Sequence, residues 1–175
     1  AGYYKFDLDR AKKLLADAGH PQGLDLQGWG RPDQTAVQDE EVVVSQLARA
    51  GIRLKVAPAS PAQAMQNFMM QKRGATLITP TGGYPDPSQF YEALFAKTAL
   101  RNAAKIELPG FRPLLDATTT AADQASRKAA FAKLQAFVVE QAMYLPQFIL
   151  PGVTIATPKV KNFSNGLLMT PKFTE

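Results

Sequence analysis

Cysteine is absent from the 175 residues. That removes disulfides, thiolate nucleophiles and Cys-based zinc sites together, and it fits a reducing and an oxidising compartment equally. Histidine occurs once, as His20, in a Gly-His-Pro turn directly after a helical pattern, a place for a structural or solvated ring. No G-x-S-x-G stretch marks a serine nucleophile, and no Gly-Lys-Ser/Thr follows Gly82-Gly83, so no phosphate loop is expected. No His or carboxylate pair has ligand-like spacing with partners, so neither a metal centre nor a cofactor is expected, and no catalytic residue is nominated. The apolar runs are too short and too interrupted to cross a bilayer. Dense basic stretches are missing too. The net charge is +5, but the cations are scattered as Lys12-Lys13, Lys72-Arg73 and Lys159/Lys161. A nucleic-acid binder clusters base with interleaved aromatics, so a mildly basic, soluble surface and no nucleic-acid partner are expected. Ala1 to Phe6 lacks an initiator Met and a basic start followed by an apolar stretch, and reads as the front of a processed or excised piece.

What is present is an ordinary globular composition, 46% hydrophobic and 20% charged, with alternating helix and strand signals. Asp7 caps a helix with apolar face Leu8, Ala11, Leu14, Leu15 and Ala18, stopped by Gly19 and Pro21. Leu24 to Trp29 reads as a short strand. The loop Gly30-Arg31-Pro32-Asp33 leads to a helix from about Gln34 to Ala50, with Val43, Val44, Leu47 and Ala50 inward. The acidic trio Asp39-Glu40-Glu41 reads as a first helical turn opposing the macrodipole. Ile52 to Ala57 alternates as a half-buried strand. Ser60-Pro61 starts a helix that turns Ala64, Met65, Phe68 and Met69 inward and closes at Gly74. Ala75 to Thr79 reads as a strand buried on both faces. Asp86-Pro87 with Gln89 is a helix start of the capping-box type, and the helix carries Phe90, Leu94 and Phe95. A looser stretch, Lys97 to Pro109, follows. A short helix holds Phe111, Leu114 and Leu115, and Asp123 caps a long one with Phe131, Leu134, Phe137 and Val138 inside. Tyr144 to Thr157 is an extended apolar run, and Pro158 to Glu175 has no clear period. The order predicts an α/β domain with a mixed, mainly parallel sheet flanked by helices.

Ligands in such sheets sit beyond the carboxyl ends of strands. Two loops qualify, Trp29–Asp33 and Pro80–Asp86. Arg31, after Trp29 and between Gly and Pro, is either a solvated loop charge or a planar fork that grips a carboxylate with parallel hydrogen bonds. In the second loop Pro80, Thr81, Gly82, Gly83 and Tyr84 are candidate ligand contacts. The Gly82-Gly83 pair serves either a tight turn needing positive φ or close approach of backbone to ligand.

The motifs in order resemble a known family. Residues 6 to 19, Phe-Asp-Leu-Asp-Arg-Ala-Lys-Lys-Leu-Leu-Ala-Asp-Ala-Gly, resemble the Tyr-Asp-Pro-x-x-Ala-x-x-Leu-Leu-x-x-Ala-Gly signature of family 5 extracellular solute-binding proteins, the peptide and nickel receptors of ABC importers. Gln46 to Ile52 is similar to their Gln-Leu-x-x-x-Gly-Ile stretch, and Tyr84 to Phe90 to their Tyr-x-Asp-Pro-x-x-Phe turn. Arg127 to Gln135, Tyr144-Leu145-Pro146 and Val160 to Phe163 resemble the segments that close the family's chain. The resemblance spans nearly the whole sequence and implies the C-terminal lobe of a two-lobe receptor whose N-terminal lobe is missing here. It implies a ligand-binding lobe over 1–157, and a tail over 158–175 that returns toward the other lobe. It also implies a periplasmic or extracellular protein, held at the membrane only through the importer. The implied partners are a peptide or other small solute, the permease subunits and the N-terminal lobe, with no covalent chemistry. Arg31-Pro32 matches the pair that holds the ligand carboxylate in dipeptide-binding members. Those members have Gly-Trp before the Asp-Pro turn and an Asp that pairs with the peptide amine, where this chain has Thr79-Pro80 and Gly83. Two other readings of the sequence are a stand-alone hydrolase domain and a degenerate lobe serving as an interaction module.

Overall fold

The computed structural model describes residues 4–78, 84–145, 157 and 159–161, and the backbone of 163–165 and 171–173. The chain divides into two compact units, Ala1–Pro80 and Thr81–Glu175.

The first unit opens with α1 (Leu8–Asp17). Asp7 Oδ1 accepts the Arg10 N–H at 2.8 Å, which satisfies one orphan donor of the first turn. The helix ends in paired bonds from Gly19 N–H to the Ala16 carbonyl and from His20 N–H to the Leu15 carbonyl, with Gly19 at φ +87°. Only glycine takes that φ without a Cβ penalty, so the predicted stop has its physical cause. Leu8, Ala11 and Leu15 are half-buried, whereas Leu14 and Ala18 of the predicted apolar face are exposed.

The strands β1 (Leu24–Gly30), β2 (Ile52–Pro58) and β3 (Thr76–Leu77) form a parallel sheet in the order β2-β1-β3. Leu24 stands opposite Ile52, and Trp29 stands opposite Ala57 on one side and Leu77 on the other. Asp25 faces Arg53 in this register, and its two carboxylate oxygens accept from Arg53 Nε and Nη2 at 2.7 and 2.8 Å. Between β1 and β2 runs α2 (Gln34–Arg49), capped by Asp33, whose Oδ1 accepts the Ala36 N–H at 3.1 Å. Between β2 and β3 runs α3 (Pro61–Met65), continued by a π-helical turn, Gln66–Met70. The reciprocal capping box forms here, between Ser60 and Gln63. Of the expected strand Ala75 to Thr79, β3 takes Thr76–Leu77, Thr79 lies outside the described residues, Ala75 is exposed, and Thr76 to Ile78 are half-buried. Among the described residues β3 is bonded to β1.

The second unit is a helical cluster of α4 (Pro87–Phe95), α5 (Phe111–Thr120) and α6 (Gln124–Glu140). Tyr91, Phe95, Phe111, Leu115, Leu134 and Val138 form its core. Ring pairs Phe95–Phe111 and Phe90–Tyr91 meet edge-on at 5.8 and 5.4 Å, the geometry that aromatic quadrupoles favour. A short antiparallel pair, β4 (Phe163–Asn165) with β5 (Pro171–Phe173), lies where no periodicity was visible. With the parallel sheet it makes the strand content mixed, mainly parallel. Tyr144 and Leu145 are described, but most of the predicted extended run, 146–156, lies outside the described residues, as does 166–170.

One cation ties the three helices together. Arg127, in the first turn of α6, donates from Nη2 to Asp86 at the head of α4 and from Nε to the Thr118 carbonyl near the end of α5. Asp86 itself caps α4 by accepting from Ser88 N–H at 2.8 Å and Ser88 Oγ at 2.7 Å. Its working partner is therefore Ser88, not Gln89 as the capping-box reading expects. Arg127 first, then Ser88, hold the Asp86 carboxyl down at about 2 against an ordinary 3.8. A carboxyl with a depressed folded pKa stabilises the fold fully above its unfolded value and loses that contribution as pH falls through the folded value. Asp86→Asn is therefore expected to lower the thermal midpoint at neutral pH. The gap from the parent protein should shrink below about pH 4 and close near pH 2, as followed by circular dichroism across that range.

Candidate functional site

β1 is the central strand, and the chain reverses its direction of travel across the sheet there. The connection from β1 goes to one neighbour, and β3 arrives on the other. At such a switch point the loops leave toward opposite faces and open a crevice beyond the carboxyl ends. Side-chain alternation fits this picture. Gly28 and Gly30 point to the face covered by α2, and Trp29 points to the other, beside α3.

Trp29 is the chain's single tryptophan and is half-buried. Its Nε1–H donates to the Arg73 carbonyl at 2.6 Å. Gly74, at φ +91°, lies against the indole so closely that a Cβ there would come within 2.8 Å of Nε1. The indole is thus fixed by the segment that leads into β3. It forms one wall of an open depression of about 510 Å³, with Pro58, Ala59, Ala62, Gln63, Gln66 and Asn67 around it. Pro58 and Ala59 lie at the carboxyl end of β2, while Gln66 and Asn67 lie in the π-helical turn. Such turns widen a helix locally and occur often at functional sites. The depression therefore sits where an α/β sheet takes ligands, with an aromatic wall and amide side chains at its rim.

Arg31 follows two residues beyond Trp29 and is partly exposed. Its Nη2 lies 2.7 Å from Asp33 Oδ2. Its backbone N–H donates to Glu40 Oε1 at 3.2 Å. Glu40 was the residue misjudged within the acidic trio. The helix starts at Gln34, so Glu40 stands in its second turn, and its side chain folds under the β1–α2 loop, 6% exposed. A Cβ at Gly30 would overlap its carboxylate, so a larger residue there would push the Glu40 side chain out of its present place under the loop. Burial pushes the Glu40 carboxyl up, opposed by the Arg31 N–H.

Of the predicted site residues, Trp29 and Arg31 lie together at the carboxyl end of β1. Tyr84 is half-buried in the second unit, with its ring 6.1 Å from Phe90, edge-on. Pro80, Thr81, Gly82 and Gly83 lie outside the described residues. Sequence reading missed Gln66, Asn67, Pro58 and Ala59. The carboxyl-end rule, applied to β2 as well, finds the last two, since Pro58 ends that strand and Ala59 follows it. The π-helical turn carries no sequence signal.

The Glu40 arrangement has a pH signature. A carboxyl whose folded pKa is raised costs stability as pH climbs from its unfolded value through the folded one. Glu40→Gln keeps an acceptor for the Arg31 N–H and removes the titration. Relative to the parent, the variant should gain stability over that window and hold the gain above it. Chemical denaturation midpoints at several pH values from 4 upward check this.

No family model matches the chain. It is 23% identical over 167 residues to heme-binding protein A of Haemophilus influenzae, covering 91% of this chain and 30% of that protein. It is 23% identical over 176 aligned positions to the dipeptide-binding protein of Escherichia coli, covering 96% and 32%. Among solved structures, the dipeptide-binding protein of Pseudoalteromonas sp. SM9913 in complex with Met-Leu superposes with a TM-score of 0.67 at 26% identity, over 79% of this chain and 29% of that one. The periplasmic binding protein DppA of Helicobacter pylori, in complex with the peptide STSA, gives a TM-score of 0.70 at 24% identity, over 82% and 29%. The chain spans about 30% of the length of the curated relatives it matches, and its fold is that of one part of a substrate-binding protein of the periplasmic type.

Proposed function

We propose that the chain is the C-terminal lobe of the substrate-binding component of an ABC importer. In this reading it captures a peptide or similar small solute in a cleft against an N-terminal lobe and delivers it to the permease in the membrane. Residues 1–157 form the ligand-binding lobe, and 158–175 run back toward the other lobe. The protein works outside the cytoplasmic membrane, in the periplasm or extracellularly, and meets the membrane through the importer. Binding is non-covalent, and affinity comes from enclosing the ligand as the lobes close.

The observation that carries this reading is Arg31 at the carboxyl end of the central strand, beside the Trp29 depression. The ligands named for the curated relatives, dipeptides and heme, share a carboxylate. A guanidinium on a loop held by Glu40 suits that group. The ligand backbone or side chain then lies along the indole, where Gln66 and Asn67 offer amide donors and acceptors. Position 83 is glycine, so no acid stands there to neutralise a peptide amine. Selection in this lobe thus falls on the carboxylate end.

In the intact receptor, Arg31→Ala is expected to weaken binding of a carboxylate ligand by about 2–5 kcal/mol, the range for a desolvated charge pair. Calorimetry with a panel of free dipeptides, Met-Leu among them, measures this. Unchanged affinity would reduce Arg31 to a loop charge. Ligand should also shift the emission of Trp29, since the indole lines the depression.

Expressed alone, the chain is expected to fold, because each unit has its own packed elements. It should bind the same peptides far more weakly than the intact receptor, since one wall leaves half the ligand in water. Affinity within tenfold of the intact receptor would show a complete site in this lobe.

A further inference from the structure

The side chain that Arg31 meets is itself a carboxylate, and the Arg31–Asp33 and Arg53–Asp25 pairs of the first unit differ in kind. Arg53 takes Asp25 with two nitrogens, Nε and Nη2, at 2.7 and 2.8 Å, across adjacent strands in register. Arg31 meets Asp33 through Nη2 at 2.7 Å, two residues along a loop. The two-nitrogen fork is the stronger and more directional arrangement. A ligand carboxylate that takes two parallel hydrogen bonds from the Arg31 fork therefore outcompetes Asp33, whose 2.7 Å ion pair lacks that two-bond geometry.

Release of Asp33 has a low cost for two reasons. Its Oδ1 accepts the Ala36 N–H at 3.1 Å, so the carboxylate keeps a charge-assisted hydrogen bond when Arg31 leaves. It also remains at the N-terminus of the sixteen-residue α2, where the macrodipole favours an anion. Arg31 leaves by side-chain rotation alone, because its backbone N–H stays on Glu40 and Gly30 stays pressed against that acid. The two side chains retain 38% and 42% of their exposure, so water and ligand both reach the pair.

We propose that Asp33 is a resident competitor for the ligand carboxylate: it occupies Arg31 in the empty site, is exchanged for the ligand on binding, and sets the affinity threshold of the carboxylate subsite. This rests on the reading of Arg31 given above. Exposed ion pairs are worth little, so the competitor lowers affinity modestly, by about two- to fivefold. A receptor that must hand its cargo onward benefits from a carboxylate grip that an internal group helps to displace.

The test uses the intact receptor with Asp33→Asn and Asp33→Ser. Both replacements keep an N-cap acceptor for Ala36, so the start of α2 survives, and thermal midpoints verify it. Each variant is titrated by calorimetry with the free dipeptide panel and with the same peptides amidated at the C-terminus. The expected result is a two- to fivefold gain in affinity for the free acids in both variants, confined to the free acids, together with loss of binding in Arg31→Ala. Unchanged or weaker binding of the free acids in both cap-preserving variants, with Arg31→Ala still impaired, overturns the competitor and leaves Arg31 as the carboxylate anchor. An equal gain for acids and amides also overturns it. Normal binding in Arg31→Ala, or silence of every version to the whole panel, overturns both the competitor and the reading it rests on.

Discussion

Parallel pairing of β1 with β2 on one edge and β3 on the other forces both connections to cross the sheet, since parallel neighbours cannot be joined by a hairpin. Much of the first unit follows from that. The crossovers supply α2 and α3, one against the face of Gly28 and Gly30, the other against the face of Trp29. The carboxyl end of β1 is where two loops diverge, so it is where backbone is irregular and side chains reach open space. Gly30 leaves room for the Glu40 carboxylate, and Trp29 is fixed by Arg73 and Gly74. The residue next in line, Arg31, is therefore delivered from a rigid strand end rather than from a wandering loop.

The second unit is organised on a different principle. Its helices are fixed by a buried aromatic cluster and by one polar tie, Arg127, which meets a cap, a helix end and its own helix start. Arg112 works similarly nearby, taking Glu92 and Glu107 at 2.7 Å each. These partly exposed pairs add orientation more than stability, because screening by water offsets their attraction. The apolar rings supply the drive, and the arginines choose which helix ends meet.

Helix starts were legible because they are written in local chemistry. Asp7, Asp33, Ser60, Asp86 and Asp123 all accept from a backbone N–H of the first turn, and each stands at or beside the predicted start. Helix interiors followed from period, as with Leu134 and Val138. What failed was whatever depends on a distant neighbour. Ala75 to Thr79 has the composition of a strand covered on both faces, but coverage is decided by what packs on it, and Ala75 is exposed while Thr76 to Ile78 are half-buried. Glu40 looks like one of three surface acids, and only the return of the β1 loop over α2 makes it a buried acceptor. Arg31 was singled out by position, yet its pairing with Asp33 depends on the turn between them. The hairpin of β4 and β5 left no trace in periodicity because each strand has three residues.

The contrast between Asp25 and Asp33 shows how one residue type serves opposite ends. Asp25 lies in a strand, opposite an arginine whose backbone is fixed by the ladder, so both oxygens are engaged at once. Asp33 lies at a helix cap, where one oxygen is already committed to Ala36 and the other lies 2.7 Å from Arg31 Nη2 without a two-bond fork. The first arrangement resists exchange because breaking it unpairs two hydrogen bonds together. The second gives up one contact and keeps another. A binding site needs the second kind, for a guanidinium held by a full fork of internal hydrogen bonds would have nothing left to offer a ligand.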